Sequence, residues 1–177
     1  MARIAKADYF AGVFLTTILK SSKAVPMLCD ASGEIKRVVF DTDMGDFNVY
    51  VKYSTNPQKG WDYNSVPKKK RTYWNVPFSE NEYDYLKNGF QQDGKKNLVA
   101  MVCTNKSLSE SHIAILNLEE TLACLKLTTD GGNRTITVSR TGRNQTFDCS
   151  GVDMAPLSYN PYVNHLRFFD EVRSDTE

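Results

Sequence analysis

The stretch Glu34–Ser54, EIKRVVFDTDMGDFNVYVKYS, reads as two strands joined by a tight turn. β-Branched Ile35, Val38 and Val39, with Phe40, mark a strand from Glu34 to about Thr42. Asp43-Met-Gly-Asp46 supplies the turn and its glycine. From Phe47 to Ser54 the pattern alternates: Phe47, Val49, Val51 and Tyr53 face one side, and Asn48, Tyr50 and Lys52 the other. A turn centred on Met44-Gly45 sets Asp41 opposite Asn48 and Arg37 opposite Lys52. Asp41 then shares the polar face with Lys52, about four residues of strand away, or roughly 13 Å.

Working outward, residues 5–20 read as an amphipathic helix with Phe10, Phe14 and Ile18 on one stripe. A short strand, Val25–Cys29, and an Ala31-Ser-Gly33 turn connect it to the central stretch. Downstream, residues 55–76 show no period and read as a long loop. Ser79-Glu-Asn-Glu82 is a capping box that opens a helix, with Tyr83, Leu86 and Phe90 on its buried face and Gly94 near its stop. Leu98–Cys103 is a continuous apolar run, as in a central strand buried on both faces. Another strand, His112–Leu116, precedes a short helix capped by Asn117. Ile136 and Val138 alternate before a turn into Gln145–Cys149, which makes a hairpin. The tail from Gly151, with Phe168-Phe169, reads as irregular structure. The expected division is a core over 1–128 and a C-terminal hairpin with its tail over 129–177, packed on that core.

The 177 residues suit one domain of ordinary globular composition. Lys and Arg number 22 against 21 Asp and Glu, which excludes a uniformly basic nucleic-acid coater but not a local patch. No apolar run is long enough to span a membrane. The four cysteines form no C-x-x-C pair, and Cys103 and Cys124 lie in apolar segments, as buried free thiols do. Three N-x-S/T sequons and a charged, apolar N-terminus imitate a secreted chain, but Asp8 and two Thr interrupt that apolar run. The expectation is a reduced, cytoplasmic protein with no membrane partner. His112 and His165 are the only histidines, which disfavours a His-based triad or multi-His metal site. Both read as plain surface or strand residues. No Walker A, G-x-G-x-x-G or G-x-S-x-G motif is present.

The order helix, strand, strand, strand, helix, strand over residues 5–103 resembles the PD-(D/E)XK nuclease superfamily. The resemblance implies an α/β fold, with an αβββαβ restriction-endonuclease-like core and a C-terminal strand-helix-hairpin extension. It also implies a DNA endonuclease of the kind found in restriction and defence systems, in which carboxylates hold Mg²⁺ and a lysine steadies the nucleophile or phosphate. Lys52 occupies the lysine place. Tyr50 stands where the neighbouring acid belongs, so the motif is incomplete. By resemblance the catalytic candidates are Asp41, Asp43 and Lys52, with Asp41 and Asp43 on the metal. The same aspartates are also ordinary turn residues.

Lys68, Lys69, Lys70 and Arg71, followed by Tyr73 and Trp74, combine phosphate-neutralising and base-stacking groups. Arg134, Arg140 and Arg143 on the C-terminal hairpin offer a second set. Two readings stand. One is a nucleic-acid-binding protein, DNA before RNA, that is a noncanonical or inactive metal-dependent nuclease. The other is a non-enzymatic intracellular interaction module that binds a protein through the tail or the 55–76 loop.

Overall fold

The computed structural model describes residues 6–21, 37–42, 45–62, 66–142 and 147–159. The strand expected at Val25–Cys29, together with Glu34, Asp43, Arg143, His165 and Phe168-Phe169, lies outside the described residues.

Helix α1 (Lys6–Ser21) is followed by β1 (Arg37–Thr42) and β2 (Gly45–Ser54). Next come β3 (Gln58–Asp62), β4 (Lys69–Phe78), α2 (Glu80–Asn88), β5 (Lys96–Thr104) and β6 (Ser111–Asn117). Helix α3 (Leu118–Cys124), β7 (Arg134–Thr141), β8 (Phe147–Ser150) and β9 (Leu157–Tyr159) complete the described elements. They make a mixed α/β fold of two sheets, ordered β1-β2-β5-β6 and β3-β4-β7-β8-β9.

The alternation in β2 builds the layers. Phe47, Val49 and Val51, joined by Leu98, Ala100 and Val102 of β5, pack against Phe10, Phe14 and Ile18 of α1. Tyr50 on the opposite face, with Val99, Met101 and Cys103, packs against Trp74, Val76, Phe78, Ile136 and Val138 of the second sheet. Leu86 of α2, with Phe90 just beyond it, and Cys124 of α3 close that layer. β5 is therefore buried on both faces, as its apolar run requires. It returns parallel to β2, as the crossover predicts, with Val49 beside Leu98.

The polar side of β2 is covered too, so its polar groups need partners. Asn48 is fully buried and donates to the Phe90 carbonyl at 2.7 Å and to Asn97 Oδ1 at 2.7 Å. Its own Oδ1 accepts from Arg37 Nε at 2.7 Å, which ties β1 to β2 and β5.

Several expectations are corrected. Residues 55–76 are not a loop: β3 and most of β4 lie there, paired antiparallel from Gln58↔Tyr73 to Asp62↔Lys69. Trp74, Val76 and Phe78 alternate inward, a period-2 signal masked by the basic run and by Pro67 and Pro77. Pro77 is accommodated because β3 pairs β4 only as far as Tyr73, leaving an edge-like stretch beyond. The C-terminal hairpin joins the second sheet, where β7 pairs with β4 from Arg71↔Thr141 to Phe78↔Arg134. Part of the expected irregular tail is β9, paired with β8. Helix α2 stops at Asn88, with Gly89 rather than Gly94 as its C-cap. The β1–β2 register also differs: Thr42 pairs with Gly45, so Asp41 lies opposite Asp46 and Arg37 opposite Tyr50. Moving the turn centre by one residue moves each partner by two, which keeps every side chain on its expected face.

Candidate nucleic-acid interface

The strand pairing divides the basic run between two faces. Cross-strand partners share a face. Lys70 therefore sits with Trp61, and Thr72 with Lys59 and with Arg140 of β7. Lys69, Arg71 and Tyr73 point the other way, beside Asp62, Gly60 and Gln58. On that outer face the Arg71 guanidinium lies 5.6 Å from the Tyr73 ring centroid and donates to Ser139 Oγ at 2.9 Å. The Tyr73 ring covers Gly60, where an added Cβ would meet its Cε1 at 3.5 Å.

Lys59, Trp61, Lys70 and Thr72 share the inner face, and together with Gly60 and Arg71 they line an open hollow of about 300 Å³. Trp61 is 49% exposed. Lys59, Lys69 and Lys70 are exposed and have no carboxylate partner among the described residues.

Trp74 is a correction. It is 3% exposed, and its Nε1 donates to the Thr104 carbonyl at 2.9 Å, so it anchors the core and cannot stack on a base. Trp61, within the stretch expected to be a loop, is the exposed indole of the hairpin. The arginines of β7 are also committed. Arg134 forms a bidentate pair with Glu80, at 2.9 and 3.0 Å, and lies 3.8 Å from the Tyr83 ring centroid. Arg140 reaches Glu110 at 3.7 Å. His112, a strand residue as expected, is buried rather than on the surface, and its Nε2 lies 3.0 Å from Glu110. Burial and the nearby Arg140 hold its imidazole below the ordinary range, against the opposing pull of Glu110.

The nuclease-like candidates do not converge. Asp41 lies opposite Asp46, six residues before Lys52 on β2, or roughly 20 Å along the strand. Lys95 bridges Asp41 at 3.5 Å and Asp46 at 3.7 Å. Lys52 instead contacts Glu82 of α2, Nζ to Oε1 at 2.6 Å. Tyr50 Oη donates to the same oxygen at 2.6 Å. The other oxygen accepts from the Ser79 backbone N at 2.8 Å and from Ser79 Oγ at 3.0 Å. Burial opposes ionisation of Glu82, but the donors Lys52, Tyr50 and Ser79 outweigh it and hold its carboxyl below the usual range. Burial, then Glu82, keeps the Tyr50 phenol protonated far above neutrality. A carboxylate with four donors already in place is a structural clamp, poorly suited to accept a metal ion as well.

Among the described residues, no three His, Cys, Asp or Glu side chains gather as a metal ion requires. Cys103, Cys124 and Cys149 are buried and form no disulfide among the described residues. Burial pushes the Cys103 thiol well up and the Cys124 thiol up to about 11, which leaves neither a nucleophile at neutral pH. No helix among the described residues is long and apolar enough to cross a membrane.

The chain matches no family model, no curated protein and no solved structure.

Proposed function

We propose that this protein binds nucleic acid, DNA before RNA, through the β3–β4 hairpin, and that it does so without cutting at Lys52. The observation that carries this reading is the placing of Lys59 and Lys70 beside the exposed Trp61 on one face of the hairpin, with Lys69 on the other, none of the three lysines having a carboxylate partner among the described residues. Unpaired cations attract a polyanion and release its counterions, and an exposed aromatic adds a contact that charge alone does not supply. Two features argue against cleavage: Asp41 on β1 pairs with Asp46, far along β2 from Lys52, and Glu82 is fully engaged. Thiols buried in the apolar core, as at Cys103 and Cys124, fit a reducing, cytoplasmic setting.

The test is anisotropy of labelled oligonucleotides with and without Mg²⁺, run beside a nuclease assay on the same material. Expected results are salt-sensitive binding that needs no metal, and no cleavage by wild type or Lys52→Ala. Metal-dependent cleavage lost in Lys52→Ala would restore the nuclease reading. Absence of binding to any oligonucleotide at low salt would leave the protein-interaction module as the better account.

A further inference from the structure

We infer that the Trp61 face of the hairpin is a stacking platform for one base of a single-stranded nucleic acid, with Lys59 and Lys70 on the flanking phosphates. This rests on the nucleic-acid reading above and adds the form of nucleic acid and the residue that selects it.

Trp61, Tyr73 and Trp74 of the hairpin differ in what they have left to offer. Trp74 is buried and hydrogen-bonded to Thr104. The Tyr73 ring lies over Gly60 and takes Arg71 at 5.6 Å. Trp61 is half exposed, and its hollow of about 300 Å³ has a lysine from each strand, Lys59 and Lys70, in its lining. That hollow is at the small end of ligand sites, typically ~300–1,000 Å³, as suits one planar base with its sugar and phosphates outside. The only acid of β3 and β4, Asp62, pairs in register with Lys69 on the opposite face, so the Trp61 face is cationic and aromatic.

Base faces are hidden in a duplex and available in a single strand. An indole beside two cations therefore discriminates between the two forms without reading sequence. A peptide strand adding to the β3 edge fits less well. β3 is five residues long and carries Lys59 and Gly60, and short length and lysine both blunt an edge.

The chain has two tryptophans, one buried and one exposed, so intrinsic fluorescence reports on Trp61 with Trp74 as a constant background. Titration of wild-type protein with oligo(dT) should quench the emission, and Trp61→Ala should bind it about tenfold more weakly. Trp61→Phe should recover most of that loss, since it keeps a stacking face. Duplex of the same length should bind more weakly than the single strand and be indifferent to Trp61→Ala. Far-UV circular dichroism checks that both variants are folded; were Trp61→Ala not folded, the wild-type quenching and Trp61→Phe would decide.

Equal oligo(dT) binding by wild type and Trp61→Ala, with binding lost when Lys59, Lys69 and Lys70 become Gln, would overturn the stacking platform and leave the nucleic-acid reading intact. Binding of polyglutamate as tight as that of oligo(dT) would also overturn it, because charge alone would then suffice. Binding of neither single strand nor duplex at low salt would overturn both.

Discussion

Glu82 serves two structures at once. One oxygen closes the capping box on Ser79, while the other takes Tyr50 and Lys52 from β2. Half of this is readable from sequence, because Ser-x-x-Glu before an apolar-periodic run is a local pattern. The other half is not: Tyr50 and Lys52 lie 32 and 30 residues upstream, and only the packing of α2 on β2 brings them together. For the same reason Lys52, placed correctly on the polar face, acquires a partner that the sequence does not reveal. The carboxyl of Glu82 is held below the value of an unfolded chain. The stability it confers is therefore complete above the ordinary carboxylate range and lost as pH falls through its folded value. Glu82→Gln should cost about 2 kcal/mol at neutral pH, through the lost charge-assisted bonds. It should also shrink the acid limb of a urea-midpoint profile. An acid limb identical to that of wild type would place the acid sensitivity elsewhere.

At the scale of elements, helices announced themselves and the middle strands did not. Phe10, Phe14 and Ile18 are buried as their spacing demands, and both capping boxes, at Ser79 and Asn117, form. The β3–β4 hairpin was hidden because its outer residues are charged and its strands contain Gly60 and Pro77, all of which imitate a loop. What makes it a hairpin is non-local: β7 supplies the ladder and the first sheet supplies the apolar layer under Trp74, Val76 and Phe78. Glycines show the same contrast between local and non-local constraint. A Cβ built on Gly151 would fall inside the carbonyl of Cys124 at the end of α3, whereas at Gly12 in α1 nothing lies within 4 Å. Gly151→Ala should lower stability by about 1–3 kcal/mol through overpacking. Gly12→Ala should raise it by up to about 1 kcal/mol through helix propensity. Thermal unfolding of the two variants checks both signs, and a neutral Gly151→Ala would mean that the β8 terminus and α3 are not in close contact.

Across the whole molecule, the near-balance of 22 basic and 21 acidic residues conceals an uneven distribution. Asp41 and Asp46 are bridged by Lys95, Glu82 is clamped by Lys52, and Glu80 is paired with Arg134. Among the described residues Lys59, Lys69 and Lys70 have no carboxylate partner at the end of the second sheet, Lys59 and Lys70 beside Trp61 and Lys69 on the opposite face. The mixed α/β class, the parallel return of β5 and the basic character of 68–71 were legible in the sequence. The split of that run between two faces, and the exchange of Trp74 for Trp61 as the exposed aromatic, were not, because both follow from a strand pairing with no local signature. The salt dependence of oligo(dT) affinity tests the hairpin most directly, comparing wild type with Lys59, Lys69 and Lys70 all changed to Gln. The expected result is weaker binding and a log–log salt slope shallower by about 2, as for the loss of three single-strand phosphate contacts. An unchanged slope in the triple variant would contradict the assignment of this hairpin to nucleic acid.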